Sequence, residues 1–332
     1  MASKILFIAD NIDNFNTDTD TTYLIMLSCK DMIVDVYYCN QNHLFVTNNG
    51  YNCVVKAKVY KLDVQYGCDQ IHCLKQRWYY IEQKLILDLN EFDAILVRKD
   101  PPFDLEYYMM AQLLNIASNY GAKIFNRPHD LICYNEKLST LQFPQFIAPF
   151  IISKNKKELL AFIKQNDACI IKPINMMAGA GVIKTANDDP NLLALLEISS
   201  SNFNTTIMVQ KFIPAITEGD KRVFIINGVV LKYCLIRTPV ANSIRSNIAA
   251  GGKATVSVID DQTLAIAQSV ALWSLNTGLS FIGLDIIGNY LNEINITSPT
   301  GLCQIYQHSG VNGAKLWLDH CLQKYDNNTI SN

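Results

Sequence analysis

Residues 283–300 read GLDIIGNYLNEINITSPT. Two apolar runs, 281–287 and 291–297, flank the turn signal Gly288-Asn289-Tyr290. Short apolar runs on either side of such a signal predict a β-hairpin. The hairpin matters because three side chains with candidate oxygen ligands lie along it, and the strand register decides whether they meet. These side chains are Asp285, Glu293 and Asn295.

Two registers of this hairpin are open. A two-residue loop at 288–289 would set Asp285 opposite Asn292 and turn Glu293 to the other face, because successive strand side chains alternate between faces. A loop of odd length sets Asp285 opposite Glu293, with Asn295 two residues further on the same face. Two carboxylates and an amide suit Mg²⁺, which takes oxygen ligands and leaves positions for phosphate oxygens. The alternative is an ordinary hairpin with a polar outer face.

Composition indicates a globular protein. The chain has 332 residues, 49% hydrophobic and 17% charged, a length that favours two or three domains. Its formal charge of −2 gives no global basic field for nucleic acid or an anionic membrane. The N-terminal apolar run is too short for a signal peptide, and no apolar stretch reaches membrane-spanning length. We expect a cytoplasmic protein that binds neither nucleic acid nor membrane.

The ten cysteines are scattered, which favours reduced thiols over a disulfide framework. Cys68, His72 and Cys73 could be imagined as zinc ligands, but a fourth ligand and the usual spacing are missing. No cysteine has the partner pattern of a catalytic nucleophile.

The first part of the chain alternates buried strands with helical patterns. Strands are predicted at 5–9, 33–38, 94–98 and 122–126, and helices at about 20–29 and 104–119. This alternation predicts a parallel sheet covered on both faces, in a domain of residues 1–125. Ligands of such sheets sit beyond the carboxyl ends of the strands, so Arg98 is placed to face a cleft. A surface arginine before a Pro-Pro turn is the alternative.

From residue 126 the pattern changes, and two further segments, 126–206 and 207–332, are predicted. Their predicted elements are helices at 154–165 and 261–277 and strands at 168–172, 182–185, 206–212, 222–227 and 229–236. Residues 238–253 are poor in apolar and rich in small residues, which is the composition of a mobile loop or lid.

Lys172 ends a predicted strand beside a loop of small residues that contains Gly179 and Gly181. Backbone amides in such a loop can approach phosphate oxygens, and a lysine beside them supplies charge. The loop matches neither the Walker motif nor the dinucleotide fingerprint, so a structural turn is the alternative. Lys137 carries no signal by itself.

Residues 209–214 predict a strand that ends at Pro214 and could bind an adenine edge through main-chain groups; an edge strand is the alternative. Arg222, Arg237 and Arg245 follow, the last with Asn247 in the small-residue loop. Arginines clustering around one cleft indicate an anionic ligand, although surface salt bridges would give the same pattern.

Taken in order, these segments resemble an ATP-grasp ligase and, more narrowly, a bacterial-type glutathione synthetase. The resemblance covers residues from about 98 to 301 without a break. The first ninety residues match only in their general pattern and carry no matching motif. The matching strings are Arg98-Lys-Asp-Pro-Pro-Phe-Asp104, Asn126-Arg-Pro128, Asn135-Glu-Lys-Leu138, Ile170-Ile-Lys-Pro173, Gln210 through Ala215, Glu218-Gly-Asp-Lys-Arg-Val223, Asn247-Ile-Ala-Ala-Gly-Gly252, Gly283-Leu-Asp-Ile-Ile-Gly288 and Glu293-Ile-Asn-Ile-Thr-Ser-Pro-Thr300.

The resemblance implies an α/β ATP-grasp fold preceded by an N-terminal parallel α/β, Rossmann-like (pre-ATP-grasp) domain. It implies ATP-dependent joining of γ-glutamylcysteine to glycine through an acyl phosphate, with two Mg²⁺ ions (Mn²⁺ being the alternative metal), in a homo-oligomer that is a homotetramer. The implied ATP phosphate contacts are Lys137, Lys172, Gly179 and Gly181; the implied nucleotide contacts are Gln210, Phe212, Ile213 and Asp220. Arg222 and Arg245 would stabilise reacting groups; Arg98, Arg237, Asn247, Ser298 and Thr300 would hold the peptide and glycine; Asp285, Glu293 and Asn295 would bind metal.

The chain departs from the family pattern at several places. The phosphate loop has fewer glycines than usual, and residues 240–245, which read Val-Ala-Asn-Ser-Ile-Arg, lack the usual Gly-Gly pair. Two alternatives therefore stay open: an ATP-grasp carboxylate–amine ligase with another acceptor, and a nucleotide-binding regulatory or scaffold protein without turnover.

Overall fold

The computed structural model describes residues 2–48, 50, 53–67, 77–176, 179–240 and 253–323. The strands are β1 (Lys4–Ala9), β2 (Asp35–Cys39), β3 (Leu44–Asn48), β4 (Cys53–Val64), β5 (Tyr79–Asp88), β6 (Ala94–Arg98), β7 (Ile124–Phe125), β8 (Phe150–Ser153), β9 (Cys169–Pro173), β10 (Ile183–Thr185), β11 (Ile207–Lys211), β12 (Asp220–Ile226), β13 (Val229–Thr238), β14 (Lys253–Val258), β15 (Phe281–Ile287) and β16 (Tyr290–Asn295). The helices are α1 (Thr21–Asp31), α2 (Leu105–Asn119), α3 (Pro128–Cys133), α4 (Lys156–Asn166), α5 (Leu192–Ser199), α6 (Asp261–Ser274), α7 (Leu302–Ser309) and α8 (Gly313–Cys321).

The first sheet has the order β3-β4-β2-β1-β6-β7, with β5 paired to the other side of β4. Strands β1, β2, β6 and β7 pair in parallel, as the sequence predicts. The antiparallel strands β3, β4 and β5 extend this sheet and were not predicted. Strand β5 is largely exposed, so it lacks the continuous apolar run by which buried strands are found in a sequence.

Strand β1 is apolar throughout because both of its faces are covered. Ile5 and Phe7 pack in the cluster that contains α1, whereas Leu6 and Ile8 pack in the cluster that contains α2. Since alternate side chains of a strand point to opposite faces, the two helices must lie on opposite sides of the sheet. The carboxyl ends of β1 and β6 lie side by side at one edge of the sheet.

Two antiparallel sheets follow, with the orders β10-β9-β11-β8 and β14-β13-β12-β15-β16. Strand β11 belongs to the first of them, which places residues 207–211 with the second predicted segment rather than the third. The division into three segments itself remains a prediction. No helix among the described ranges is long and apolar enough to cross a membrane.

Asn126 joins the end of the first sheet to the ligand hairpin. Its amide nitrogen donates to the carbonyl oxygens of Phe281 and Ile296, each at 2.8 Å. Its amide oxygen accepts from the backbone N–H groups of Ser280 and Phe281 at 2.8 and 2.9 Å. The side chain is 3% exposed, so it satisfies four buried backbone groups that water does not reach.

Replacing Asn126 by alanine is expected to lower the free energy of unfolding by about 3–5 kcal/mol, because several buried backbone groups lose their partner. Chemical denaturation followed by circular dichroism measures the change. Asn119→Ala, at an exposed position on the last turn of α2, is the matched control and should change stability little. Equal effects of the two substitutions would contradict the role given to Asn126.

Candidate active site

The hairpin of β15 and β16 has a two-residue turn and nevertheless aligns Asp285 with Glu293. Ile287 pairs with Tyr290 beside the turn, but the register shifts before Asp285, and Asn292 is left without an opposite residue. A β-bulge of this kind sets two residues of one strand against one of the other. The predicted facing pair is therefore present, whereas the odd-length loop was the wrong reason for it.

Asp285 lies in a buried cluster with Arg222 and Arg237. Arg222 donates to its carboxylate through Nε at 2.6 Å and Nη2 at 3.0 Å, and Arg237 Nη2 lies 2.9 Å from Oδ1. Burial opposes ionisation of Asp285, but the two guanidinium charges outweigh it and hold the pKa of this carboxyl well below its usual range. Asp285 therefore stays ionised at any working pH.

Asp220 extends this cluster on the far side of Arg237. Arg237 donates to Asp220 through Nε at 2.9 Å and also through Nη2. Burial raises the pKa of Asp220, with the charge of Asp285 adding to the effect and Arg237 opposing it. In this structure Asp220 therefore contacts an arginine, and its predicted contact with the nucleotide stays a prediction.

Lys137 and Glu293 connect the hairpin to the small-residue loop. Lys137 Nζ lies 3.1 Å from Glu293 Oε1 and donates to the carbonyl oxygen of Met176 at 2.6 Å. The lysine is 8% exposed, so few groups other than a ligand entering the cleft can reach it. The structure thus brings a predicted phosphate lysine and a predicted metal ligand into contact.

Lys172 contacts the same hairpin, and its two hydrogen-bond acceptors are side-chain amide oxygens. It donates to Gln210 Oε1 and to Asn292 Oδ1, each at 2.6 Å. Burial lowers the pKa of Lys172 to about 8, because these neutral acceptors do not replace the hydration that the charge loses, although Glu293 raises the pKa in part. A buried cation with neutral neighbours is suited to an anionic ligand.

The small-residue loop after β9 carries two glycines with positive φ, Gly179 at 73° and Gly181 at 70°. A Cβ atom on Gly181 would lie 2.7 Å from Pro173 Cγ, so this position requires glycine for both its conformation and its space. Residues 177–178 lie outside the described residues.

Gly181→Ala is expected to raise the KM for ATP about tenfold, since alanine would strain the loop by an amount comparable to other positive-φ substitutions. The measurement is the initial rate against ATP concentration. Ala180→Gly is the neighbouring control and should change the KM by less than about twofold. A KM unchanged by Gly181→Ala would exclude a role for this loop in holding the nucleotide.

The predicted adenine segment follows β11. The backbone N–H of Phe212 donates to the carbonyl oxygen of Ala168 at 2.9 Å, so that N–H is already used. Lys184 Nζ lies 3.9 Å from the centre of the Phe212 ring, and Ile213 is buried in a small apolar cluster. Adenine binding by this segment stays a prediction. It would depend on Gln210 and on backbone groups of the segment other than the Phe212 N–H.

Arg98 is buried between the first sheet and the segment after β16. Its Nε donates to Thr22 Oγ1 at 3.2 Å and its Nη2 to the carbonyl oxygen of Pro299 at 3.0 Å. Its Nη1 is buried with no hydrogen-bond partner. Ser298 donates to the carbonyl oxygen of Arg98 at 3.3 Å, while Thr300 is exposed and its carbonyl accepts from Arg222. Arg98 positions the segment 298–300, and its direct contact with substrate stays a prediction.

Two predicted residues, Arg245 and Asn247, lie outside the described residues together with most of the predicted loop 238–253. Cys68, His72 and Cys73 also lie outside the described residues. Within the described ranges, no cluster of three or more His, Cys, Asp and Glu side chains stands ready to hold a metal.

The oxygen atoms of Asp285, Glu293 and Asn295 nevertheless fit a hard divalent cation. Asn295 donates its amide N–H to Gly283 O at 3.1 Å, which leaves the amide oxygen as the group available for a ligand. A carboxylate has about four lone-pair positions, and the arginines named above occupy three of those on Asp285. With Glu293 opposite, two carboxylates and one amide remain, and phosphate oxygens would complete the coordination.

Two residues of the candidate site were missed in the sequence. Asn292 was missed because its position depends on the bulge, and no local sequence pattern predicts that bulge. Glu136 accepts from the backbone N–H groups of Ile296 and Thr297 at 2.9 and 3.1 Å and from the Thr297 hydroxyl at 2.8 Å. Burial raises its pKa, with Glu293 adding to the effect. Its place beside Lys137 in the Asn135-Glu-Lys string was the available signal.

Comparisons with known proteins agree with this geometry. The ATP-grasp domain model of prokaryotic glutathione synthetase matches residues 136–310, and the N-terminal domain model of the same enzyme matches residues 3–131. A glutathione synthetase of Ralstonia nicotianae is 36% identical over 95% of this chain and 94% of its own length. One from Neisseria meningitidis is 35% identical over 95% of this chain and 97% of its own.

Solved structures share the fold at low identity. A Chryseobacterium gregarium RiPP-associated ATP-grasp ligase, in complex with ADP and a leader and core peptide, aligns over 98% of both chains with a TM-score of 0.63 and 14% identity. D-cycloserine synthetase DcsG aligns over 96% of this chain and 99% of its own, with a TM-score of 0.63 and 10% identity. These likenesses confirm the expected ATP-grasp fold behind an N-terminal domain with parallel strands. With both family models matched and relatives aligned along almost the whole length, the chain belongs to the prokaryotic glutathione synthetase family.

Proposed function

We propose that this chain joins γ-glutamylcysteine to glycine, consuming ATP and releasing glutathione, ADP and phosphate. The observation that carries the proposal is one cleft along the hairpin, in which Lys137 contacts Glu293, Lys172 contacts Asn292 and Arg222 contacts Asp285. Phosphoryl transfer between anions needs charge neutralisation and alignment more than a nucleophilic side chain. The described residues of the cleft supply positive charge and oxygen ligands.

In this proposal the two lysines hold the triphosphate of ATP. Lys137 and Lys172 are both more than nine-tenths buried, and their present acceptors are a carboxylate, a carbonyl and two amides. Phosphate oxygens are stronger acceptors than amides, so the phosphates would replace those partners. The loop with Gly179 and Gly181 would close over the phosphates, with its backbone amides as further donors.

Arg222 is the proposed catalytic residue. The cysteinyl carboxylate of the dipeptide attacks the γ-phosphorus of ATP, ADP leaves, and an acyl phosphate forms. The glycine amine then attacks the carbonyl carbon, loses a proton, and phosphate departs from the tetrahedral intermediate. A guanidinium fixed by Asp285 can stabilise the negative charge that develops in both steps without reorganising. Arg245 and Asn247 are proposed to assist from the loop 238–253.

Asp285, Glu293 and Asn295 are proposed to hold Mg²⁺, or Mn²⁺ in its place, as two ions with ATP. When bound, such ions neutralise phosphate charge and align the transferred group. The residues themselves contribute orientation, because the bulge at Asn292 fixes Glu293 opposite Asp285 before any ligand arrives.

The test is phosphate release by purified protein with ATP, Mg²⁺ and γ-glutamylcysteine, with and without glycine. Release that requires both substrates, with glutathione as product, is the expected result. Glu293→Ala and Asn295→Ala should each slow release about 10- to 100-fold through loss of a metal ligand. ATP binding without release would instead favour another acceptor amine or a regulatory protein.

A cytoplasmic location is part of the proposal. Cys39, Cys169, Cys234 and Cys303 are buried thiols without disulfides, and burial raises the pKa of Cys169 and of Cys234 to about 11. Thiols persist in a reducing compartment. The proposed reaction requires neither nucleic acid nor membrane as a partner.

A homo-oligomer, specifically a homotetramer, is proposed as well. Strand β5 is paired only through β4 among the described strands, and its Ile81 and Ile86 are 46% and 59% exposed. Exposed apolar edge strands invite pairing with another chain. Antiparallel pairing of two β5 strands about Gln83 would set Glu82 opposite Lys84 in both directions. Sedimentation velocity tests this, and a monomer at micromolar concentration would contradict it.

A further inference from the structure

An ion pair that the chemistry above does not use lies where strands β1 and β6 end. Strands β1 and β6 run in parallel, with Ala9 beside Arg98 at their ends. The next residues, Asp10 and Lys99, form an ion pair with Nζ 2.8 Å from Oδ1. In parallel sheets, ligands sit beyond the carboxyl ends of the strands.

This ion pair is rigid and yet reachable. The backbone N–H of Asp100 donates to Asp10 Oδ2 at 2.9 Å, and Lys99 Nζ donates to the carbonyl oxygen of Asp100 at 2.9 Å. The hydroxyl of Tyr38 donates to the backbone carbonyl of Asp10 at 3.0 Å. The Asp10 side chain is 41% exposed and that of Lys99 17%, so a ligand can touch both.

Both groups have bonding capacity left. An ammonium has three N–H donors, and the two bonds named here leave one on Lys99. A carboxylate has about four lone-pair positions, of which the two bonds named here leave two on Asp10. The pair therefore presents one cationic donor and one anionic acceptor side by side, which is the complement of an α-amino acid head with its ammonium and carboxylate.

The segment 298–300 connects the end of β6 to Arg222. The Ser298 hydroxyl donates to the backbone carbonyl of Arg98 at 3.3 Å, and Arg222 donates to the carbonyl of Thr300 at 2.9 Å. The two residue steps from Ser298 to Thr300 span at most about 7 Å. The glutamyl α-carbon and the cysteinyl carboxyl carbon of extended γ-glutamylcysteine are separated by six bonds, also about 7 Å.

We propose that Asp10 and Lys99 form the receptor for the glutamyl head of the dipeptide. Asp10 accepts from the α-ammonium, Lys99 donates to the α-carboxylate, and the cysteinyl carboxylate then reaches Arg222. The ligand class is a γ-glutamyl peptide with a free α-amino acid head. This inference rests on the proposed function. The charge-assisted bonds to the ligand use the positions that remain free on Lys99 and Asp10, so no charge is left unpaired.

The test combines two substrate analogues with two variants. Glutarylcysteine lacks the α-ammonium, and 4-aminobutyrylcysteine lacks the α-carboxylate. The wild-type protein should prefer γ-glutamylcysteine over either analogue about 30-fold in kcat/KM, the value of one charged hydrogen bond. Asp10→Asn should lose only the preference over glutarylcysteine, and Lys99→Met only that over 4-aminobutyrylcysteine.

Controls separate recognition from folding. The KM values for ATP and glycine should stay within about twofold of wild type in both variants. Lys56→Met, which breaks a surface ion pair with Asp88 on the same sheet, should leave every preference intact. Variants that lower kcat/KM equally for all three peptides would show a structural ion pair only and overturn the proposal.

The same experiment distinguishes failure of the two proposals. In one outcome the wild-type protein turns over γ-glutamylcysteine and both variants keep the wild-type preferences among the peptides. That outcome overturns the proposed receptor and leaves the proposed function intact. No turnover with any peptide overturns the proposed function. Calorimetric binding of γ-glutamylcysteine and glutarylcysteine to wild type and Asp10→Asn then decides the receptor: equal affinities throughout would sink it.

Discussion

Arg222→Met is expected to lower kcat about 1,000-fold, near the upper value found when one donor that stabilises a transition state is removed. The KM for ATP should stay within about threefold of wild type, because the lysines hold the phosphates. Methionine keeps much of the side-chain volume, so the loss reports charge and hydrogen bonding. Steady-state kinetics with saturating γ-glutamylcysteine and glycine measure both parameters.

Lys221→Met is the matched control. Lys221 is the preceding residue of β12, and its ammonium contacts Asp260 and Thr263 rather than the cleft. It should keep kcat within about twofold of wild type. Asp285 retains Arg237 in the Arg222 variant, so the buried carboxylate is not left unpaired, and circular dichroism can verify folding. A kcat near wild type for Arg222→Met would remove this residue from the mechanism.

Lys172→Met is expected to raise the KM for ATP about 100-fold at pH 7, the effect of losing a buried charged bond to phosphate. The wild-type protein should show a pH effect that this variant lacks. Because the pKa of Lys172 is lowered to about 8, its charge is present at pH 7 and mostly lost at pH 9. The wild-type KM for ATP should therefore rise about tenfold between those pH values.

Lys164→Met is the control for this pH series. It removes an exposed lysine of α4 and keeps Lys172 and all other titratable groups. A pH step that persists in Lys172→Met would assign it to another group. Stability follows the opposite trend. Between pH 8 and the ordinary lysine value of 10.5, the unfolded chain binds more protons at this position than the folded one. The free energy of unfolding therefore rises with pH across that window.

Local pattern was enough for the parts of the fold that are buried on both sides. Strands β1 and β6 are short apolar runs, and their prediction is confirmed to within one residue. Strand β5 alternates poorly because most of its side chains are exposed, and it was missed. The contacts of Asn126 reach residues more than 150 positions away, which no local pattern encodes.

The site shows the same division. Family motifs placed Lys137, Lys172 and Glu293 in advance, and the structure brings them within contact of one another or of the hairpin. The role of Asn292 could not be foreseen, because a bulge is a choice between registers that differ by one residue and depends on tertiary packing. The contacts that each of these residues makes with substrate remain predictions.

The bulge has a consequence for how the cleft meets its ligands. It sets Asn292 on Lys172 and Glu293 on Lys137, while Asp285 neutralises the arginines. Lys137 and Arg222 are thus already paired with carboxylates inside the protein, at the cost of folding and not of binding. In the proposed function a nucleotide with its cation would enter by double replacement, with the phosphates binding the lysines and the cation binding the carboxylates. Half of that exchange alone would strand a buried charge, so nucleotide and cation should enter together.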